Sequence, residues 1–354
     1  MKKIVLTGGG TAGHVTPNIA LAQILQQKGY KIDYIGSKTG IEKELIKDVP
    51  YHEISSGKLR RYVDMKNLSD AFKVVVGVGD AVKVLKKIKP DIIFSKGGFV
   101  TVPVVIAGKL LRIPIIIHES DMTPGLANRI ANPFANTICV SFPETMQHLP
   151  KNKVILTGPP LREEIFHGDK QKGLRLAGFS SRKPILLVIG GSLGSLKINE
   201  CVRNSLDKIL DKFCVIHICG KGNKMDSIKK QDYLQFEYVA DELADLLSVA
   251  DVVISRAGSN AIYELLALKK PHLLIPLSKK ASRGDQILNA QSFEKQGFSK
   301  VLQEEDMDDD SLLSNILEVH NSREQYISAM SNSNLKNGVQ EIVNIIENCV
   351  TASH

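Results

Sequence analysis

One sharp turn between an apolar run and a helical run carries residues suited to holding a ligand. Val252, Val253 and Ile254 lead through Gly258 into Ser259 and Asn260, and Glu264 follows five residues after Ser259. Ser259 and Asn260 are N-cap types, and the unpaired N–H groups of a helix start favour an anion such as phosphate. Glu264 lies a turn or more into that helix, where its carboxylate can accept from both hydroxyls of a ribose. A phosphate seat and a diol acceptor in one turn are what a nucleotide needs; an ordinary βα unit with a solvated glutamate fits the same residues. A second set opens the chain. Gly8, Gly10 and Gly13 of GGGTAGH satisfy G-x-G-x-x-G, with His14 at the rim of a turn that can line a pyrophosphate. An imidazole titrates in the range a general base needs, whereas a histidine facing water at a helix start is the plainer reading. Further polar residues follow apolar strands: Lys96 in SKGG, His118 and Glu119 in HES, and Gly158 to Arg162 in GPPLR.

Several chemistries are excluded by what stands beside these residues. The NAD fingerprint asks for an acid at the end of the next strand, and KIDYIGS ends in Ser37 and Lys38 instead. No G-K-[ST] occurs, which removes a P-loop. The five cysteines show no C-x-x-C spacing, so neither a disulfide framework nor a structural zinc site is indicated. Cys214, His217 and Cys219 read as one buried strand, and DMDDDS near residue 310 reads as a solvated helix start. No D-x-D follows a strand, and neither metal nor cofactor is expected in the chemical step.

The elements that must position these residues alternate. Strands at Ile4–Thr7, Lys31–Ile35 and Tyr51–Ile54 are interleaved with helical stretches at Asn18–Gln27, Ile41–Lys47 and Lys66–Lys89, and DIIFS, IPIIIHES, NTICVSF and KVILT continue the series. Strands alternating with helices mean a parallel, doubly wound sheet, whose loops after the strands cluster along one rim. From Glu163 to Lys183 the apolar period weakens and Gly, Lys and Ser accumulate, the composition of a domain crossing. Then ILLVIGGSLGS repeats the opening, GGSLGS lining up with GGTAGH. The expected division is 1–163 and 164–335, with the closing helix, about 336–354, packing back on the first domain. Two such domains facing across a cleft suit a transferase with two substrates.

A chain of 354 residues agrees with two domains. Hydrophobic content of 43% and charged content of 24% belong to a folded soluble protein. No apolar run approaches the ~20 residues a bilayer requires, and the N-terminus lacks a signal peptide's apolar region, so a cytoplasmic location is expected. The formal charge is +8, and the span Lys58–Arg112 alone holds 12 Lys and Arg against 4 Asp. Within it, Leu68, Phe72, Val75, Val78, Val82 and Leu85 follow helical spacing and are expected to face the sheet. Val74, Val76 and Val84 fall outside that stripe, beside Lys73, Lys83, Lys86 and Lys87, the make-up of a helix that docks on an anionic membrane surface. Few aromatics interleave the charges, which argues against nucleic acid.

As a set, GGGTAGHVTP, SKGGFVTVP, HESDMTPGLANR, GGSLGS, SRAGSNAIYE and Asp285–Ala290 resemble the MurG family, N-acetylglucosaminyltransferases that make lipid II in bacterial cell-wall synthesis. The matches run from residue 8 to residue 290. The resemblance implies the GT-B fold, with an acceptor- and membrane-facing first domain and a UDP-GlcNAc-binding second one. It implies transfer from UDP-GlcNAc to the MurNAc hydroxyl of lipid I with inversion, at the cytoplasmic face of the membrane and in the company of other cell-wall synthesis proteins. Thr11, Ala12, Gly13 and His14 then correspond to the first glycine loop near the reacting sugar. Arg162, Ser192, Ser195, Val239 through its backbone, Ser259, Asn260, Glu264 and Gln286 correspond to donor contacts, with Glu264 on the ribose and Gln286 on the sugar. Many members have H-E-Q-N where this chain has His118, Glu119, Ser120, Asp121, which leaves the parts of Glu119, Asp121 and Asn128 open.

The chemistry of the residues agrees. Displacing UDP needs a base for the acceptor proton, which His14 can be, and dipoles or positive charge on the departing diphosphate. Gly190–Ser195, the Ser259 turn and Arg162 can supply the latter. Other readings are another UDP-sugar enzyme of the same fold, such as a glycolipid synthase or an epimerase, and a non-catalytic nucleotide-sugar-binding protein docked on the membrane. A dehydrogenase stands last.

Overall fold

The computed structural model describes residues 1–57, 66–179, 182–191, 194–334 and 337–352. Two compact units share the chain: Met1–Arg162 with Lys336–His354, and Glu163–Leu335.

The first unit runs β1 (Lys3–Thr7), α1 (Ala12–Gln27), β2 (Lys31–Ser37), α2 (Ile41–Leu45), β3 (Tyr51–Ile54), α3 (Lys66–Ile88), β4 (Ile92–Ser95), α4 (Thr101–Leu110), β5 (Ile115–Glu119), α5 (Leu126–Ala131), β6 (Thr137–Val140) and β7 (Val154–Leu156). Its seven strands are all parallel, in the order β3-β2-β1-β4-β5-β6-β7. Apolar residues of the inner strands are buried on both faces, as helices covering both sides of a parallel sheet require, while Ile155 and Leu156 of the edge strand β7 are exposed. Ile4, Leu6 and Phe94 pack under α1, while Val5, Ile93 and Ile117 pack with Leu85 of α3 and Val104 of α4.

Two readings of this half need correction. Helix α1 begins at Ala12, not Asn18, and carries Pro17 inside it. Proline forgoes only its own bond to the preceding turn, and a buried apolar face of Val15, Leu21 and Leu25 outweighs that single loss. His14 therefore stands in the first turn of a helix. The second correction concerns α3. The stripe expected to face the sheet is split, because Phe72 and Val75 are 69% and 68% exposed while Ala81, Leu85 and Ile88 are buried. Val84, assigned to the outer face, packs against the core beside Val78 and Val82. The apolar residues form two stripes, and spacing alone does not tell which one meets the sheet. The side chain of Leu68 and the loop Lys58–Arg61 lie outside the described residues.

In the second unit a 3-10 turn at Glu163–His167 precedes α6 (Lys170–Ala177), β8 (Ile185–Ile189), α7 (Leu196–Asn204), α8 (Leu206–Leu210), β9 (Cys214–Ile218), β10 (Tyr233–Phe236), α9 (Leu243–Val249), β11 (Val252–Ser255), α10 (Ser259–Ala267), β12 (His272–Leu274), α11 (Asp285–Lys295), β13 (Lys300–Val301), α12 (Asp309–Asn321) and α13 (Arg323–Ser331). The six strands are again parallel, ordered β10-β9-β8-β11-β12-β13. The segment expected to be a domain crossing starts at the boundary between the two units and carries structure of its own. Asp169 caps α6 through Gln171 and Lys172, Ile165 and Ala177 enter the core, and a Cβ on Gly173 would lie 2.3 Å from the Asp245 carbonyl oxygen. Gly173 serves this close packing, whereas Gly178 ends α6 in the left-handed region at φ +63°. The acidic run is a helix start: Asp308 accepts from the Ser311 N–H and Ser311 answers in a capping box. Cys214–Ile218 is a buried strand, in which burial pushes the His217 pKa down to about 3.

The closing helix α14 (Val339–Ala352) belongs to the first unit, where Ile342, Val343 and Ile346 share a core with β1 and α1 and Lys28 pairs with Glu347 at 3.1 Å. In both sheets the strand order reverses next to the first strand of the unit, at β1/β4 and at β8/β11. Open α/β sheets bind ligands at such reversals, outside the strands' carboxyl ends.

Candidate active site

Both glycine turns sit at these reversals. In the first unit the turn after β1 is locked to the turn after β4: the Gly9 N–H bonds the Gly97 carbonyl at 3.2 Å, and the Lys96 N–H bonds that of Thr7 at 2.9 Å. Gly98 has φ +90°, and a Cβ there would lie 2.1 Å from the Gly9 carbonyl oxygen, so no other residue fits without parting the loops. From behind, the buried Glu42 carboxylate accepts from the Gly10 N–H and the Ser37 N–H, each at 3.1 Å. Tyr34 donates to the Gly8 carbonyl at 2.7 Å. The loop is held rigidly, and Thr11, Ala12, Gly13 and His14 emerge from it. Thr11 is the N-cap residue of α1, and its Oγ1 pairs with Nδ1 of the half-buried His14 at 3.1 Å.

Alongside, the turn after β5 is a tight polar cluster. Glu119 is 4% exposed, and its oxygens accept from the Asp121 N–H at 3.1 Å, the Gly125 N–H at 3.0 Å and Asn128 Nδ2 at 2.8 Å. These bonds staple the loop and leave Asp121 half-buried at its edge. Burial and the nearby Asp121 charge hold the Glu119 carboxyl above the usual range, against those three donors. His118 is wholly buried, and burial, then Lys96, pushes it far below the usual histidine range. It is neutral, and its Nε2 donates to the Gly158 carbonyl at 3.0 Å, tying β5 to the turn that leads to the half-buried Arg162.

In the second unit, Gly194 at φ +77° would bring a Cβ within 2.1 Å of the Cys219 carbonyl oxygen, and Ser195 caps α7 by accepting from the Ile198 N–H. Helix α10 starts at Ser259 with Gly258 as its N-cap, so Ser259 and Asn260 occupy the first helical positions and neither hydroxyl nor amide caps. Glu264 follows on the same helix, half-buried. Gln286, in the first turn of α11, accepts from the Leu277 N–H at 3.0 Å, and Val239 is buried in the bend after β10, beside the exposed Tyr238. Ser192 lies outside the described residues.

Two organising residues, Glu42 and Arg256, are not singled out by the sequence. Arg256 is buried at the end of β11, donates to Ser195 Oγ at 2.6 Å and to the Ile275 carbonyl at 3.1 Å, and pairs with Glu304. It joins the loops that follow β8, β12 and β13 into one surface. Its signal was an arginine directly behind a four-residue apolar strand; its partners, far off in sequence, gave none. Asn289 similarly supports the Ser259 turn through the Ala257 carbonyl at 3.2 Å.

A glycine turn at each sheet reversal matches a known two-part architecture. The glycosyltransferase family 28 N-terminal domain matches residues 4–140, and the family 28 C-terminal domain matches residues 185–346. The chain is 58% identical over 350 residues, 98% of its length and 99% of the relative's, to the UDP-N-acetylglucosamine--N-acetylmuramyl-(pentapeptide) pyrophosphoryl-undecaprenol N-acetylglucosamine transferase of Clostridium botulinum strain Loch Maree. The chain belongs to the MurG family. The same-named transferase of Clostridium tetani is 56% identical over 353 residues, covering 99% of both chains. The crystal structure of Acinetobacter baumannii MurG aligns with a TM-score of 0.77 at 25% identity over 98% of this chain and all of the other. A calicheamicin glycosyltransferase aligns with a TM-score of 0.74 at 12% identity over 99% and 98%, which shows the shared fold alone. As a member of the MurG family the chain has the GT-B fold expected of it.

Proposed function

We propose that the protein transfers GlcNAc from UDP-GlcNAc to the MurNAc 4-hydroxyl of undecaprenyl-pyrophosphoryl-MurNAc-pentapeptide, inverting the anomeric carbon, in peptidoglycan synthesis. The observation that carries this is identity above half along essentially the whole chain to transferases named for that reaction. The first unit takes the acceptor and the second takes the donor. His14 removes the acceptor proton; Nε2 can act only if Nδ1 holds the ring's proton, and Thr11 Oγ1 is placed to accept it. The first turn of α10 and the loop through Gly191 and Ser195 receive the diphosphate, supported by their position at the β8/β11 reversal, and Glu264 takes the ribose hydroxyls. Val239 and Gln286 complete the donor contacts of the second unit. UDP release measured in a coupled assay should require both UDP-GlcNAc and a lipid I analogue; release at the same rate without acceptor would favour an epimerase or hydrolase instead.

The protein also docks on the anionic face of the membrane through α3. Among the described residues no helix is long and apolar enough to cross a bilayer. Phe72, Val75 and Val76 are exposed on one face of α3, and the same face continues, at helical spacing, into the exposed Lys83, Lys86 and Lys87. Apolar side chains beside ammonium groups suit insertion between anionic headgroups, where each lysine contributes about 1 kcal/mol.

A further inference from the structure

Glu42, in the first turn of α2, is only 1% exposed, and three neutral donors meet its carboxylate: the Gly10 N–H at 3.1 Å on one oxygen, and the Ser37 N–H at 3.1 Å with Ser37 Oγ at 2.5 Å on the other. A buried carboxylate is tolerated when it is hydrogen-bonded, so this one holds the turn after β1 and the end of β2 at a set spacing. Glycines make room for it: a Cβ on Gly9 would lie 2.5 Å from the carboxyl carbon, and one on Gly40 closer still to both oxygens. Ser37 is itself fixed, its carbonyl accepting from Tyr51 Oη at 2.6 Å. Gly10, at φ +86°, directly precedes Thr11, the N-cap residue of α1, whose Oγ1 pairs with His14 Nδ1. A shift at Gly10 therefore reaches the imidazole through one residue and one hydrogen bond.

We infer that Glu42 is a positioning residue for the transfer: by accepting from Gly10 on one oxygen and from Ser37 on the other, it sets where the first glycine turn places Thr11 and the His14 imidazole. This rests on the reading of His14 as the base. An amide of the same shape fails in this role, because it keeps one acceptor oxygen and replaces the other with an NH2 that only donates. Whichever way it turns, that NH2 faces the N–H of Gly10 or of Ser37, donor against donor.

The test is a double-mutant cycle of Glu42→Gln and His14→Ala, assayed with UDP-GlcNAc and a water-soluble lipid I analogue. In the wild-type background Glu42→Gln should lower kcat roughly 10- to 100-fold, the scale of a small misplacement of a reacting group, with calorimetric UDP affinity unchanged. In the His14→Ala background the same change should cost less than about 2-fold, because the group it places is already gone. A residue that only supports the fold would lower kcat by the same factor in both backgrounds; that result, or wild-type kcat in Glu42→Gln, would overturn the inference. Should Glu42→Gln not fold, Glu42→Asp, one methylene shorter and so unable to keep both partners at their present distances, takes its place in the cycle with the same expectations. Amide exchange across residues 8–14 gives a readout independent of turnover, and it should be roughly 10-fold faster in Glu42→Gln than in the wild type. Unchanged exchange would overturn the hold of Glu42 on the turn. A wild-type protein that transferred no GlcNAc would sink the functional reading, while the exchange rates would still decide for or against Glu42.

Discussion

In the proposed reaction, His14 and Glu264 are the two side chains whose removal should separate chemistry from binding. The imidazole leaves a locked loop at the start of α1, where Thr11 Oγ1 can accept from a protonated Nδ1, the tautomer that the proposed base at Nε2 requires. His14→Ala should lower kcat by roughly 100-fold or more with little change in UDP affinity, as loss of a general base does. Steady-state kinetics beside calorimetric UDP binding would check this; near-normal turnover would remove His14 from the mechanism. Glu264 is half-buried, and a carboxylate drawn partly out of water discriminates against a ligand that leaves it unsatisfied. Glu264→Ala should therefore weaken binding of UDP-GlcNAc by roughly 10-fold or more and matter much less for the 2′-deoxyribose analogue. Equal losses for both donors would contradict the ribose assignment.

Loops and helices make those side chains effective, and here the sequence is legible unevenly. Strands β1, β4 and β11 lie where apolar runs put them, because a strand buried on both faces needs an unbroken apolar stretch. Helix α1 was misjudged at Pro17, since the apolar face that overrides a proline becomes visible only once its partners in the sheet are in place. On α3 two apolar stripes compete, and the choice between them is made by α4 and the sheet, not by the helix itself. The buried supports Arg256 and Glu42 are hard to read for a related reason: Arg256 satisfies loops far along the chain, and Glu42, besides its near neighbour Ser37, reaches back to Gly10. The tightest of these loop contacts makes its own prediction. Gly98→Ala would place a methyl group 2.1 Å from the Gly9 carbonyl at a positive φ, so either the strain costs about 1–3 kcal/mol or the two loops separate. The variant should unfold at lower urea concentration and lose turnover more than UDP affinity, because the damage lies at β1/β4 and the turns proposed for the donor lie in the other unit. Wild-type stability and activity would show that the loops are not locked as described.

At the scale of the whole molecule, a chain carrying +8 places a large share of that excess around α3, beside exposed Phe72, Val75 and Val76. Wild-type protein should sediment with vesicles containing anionic lipid and be released as salt rises, since surface attraction is screened within a Debye length of about 10 Å at 0.1 M salt. Lys83→Glu, Lys86→Glu and Lys87→Glu together should abolish sedimentation, and Phe72→Ser with Val75→Ser should weaken it, with activity on a water-soluble acceptor kept in both. Equal binding to neutral and anionic vesicles would contradict an electrostatic dock. The proposed reaction moves GlcNAc from UDP to a lipid-linked MurNAc with inversion, on one chain. The most direct measurement is mass spectrometry and NMR of the product formed from UDP-GlcNAc and a lipid I analogue by the purified protein. The predicted result is one added GlcNAc, β-linked to the MurNAc 4-hydroxyl; an unchanged acceptor, or an α linkage, would contradict the account.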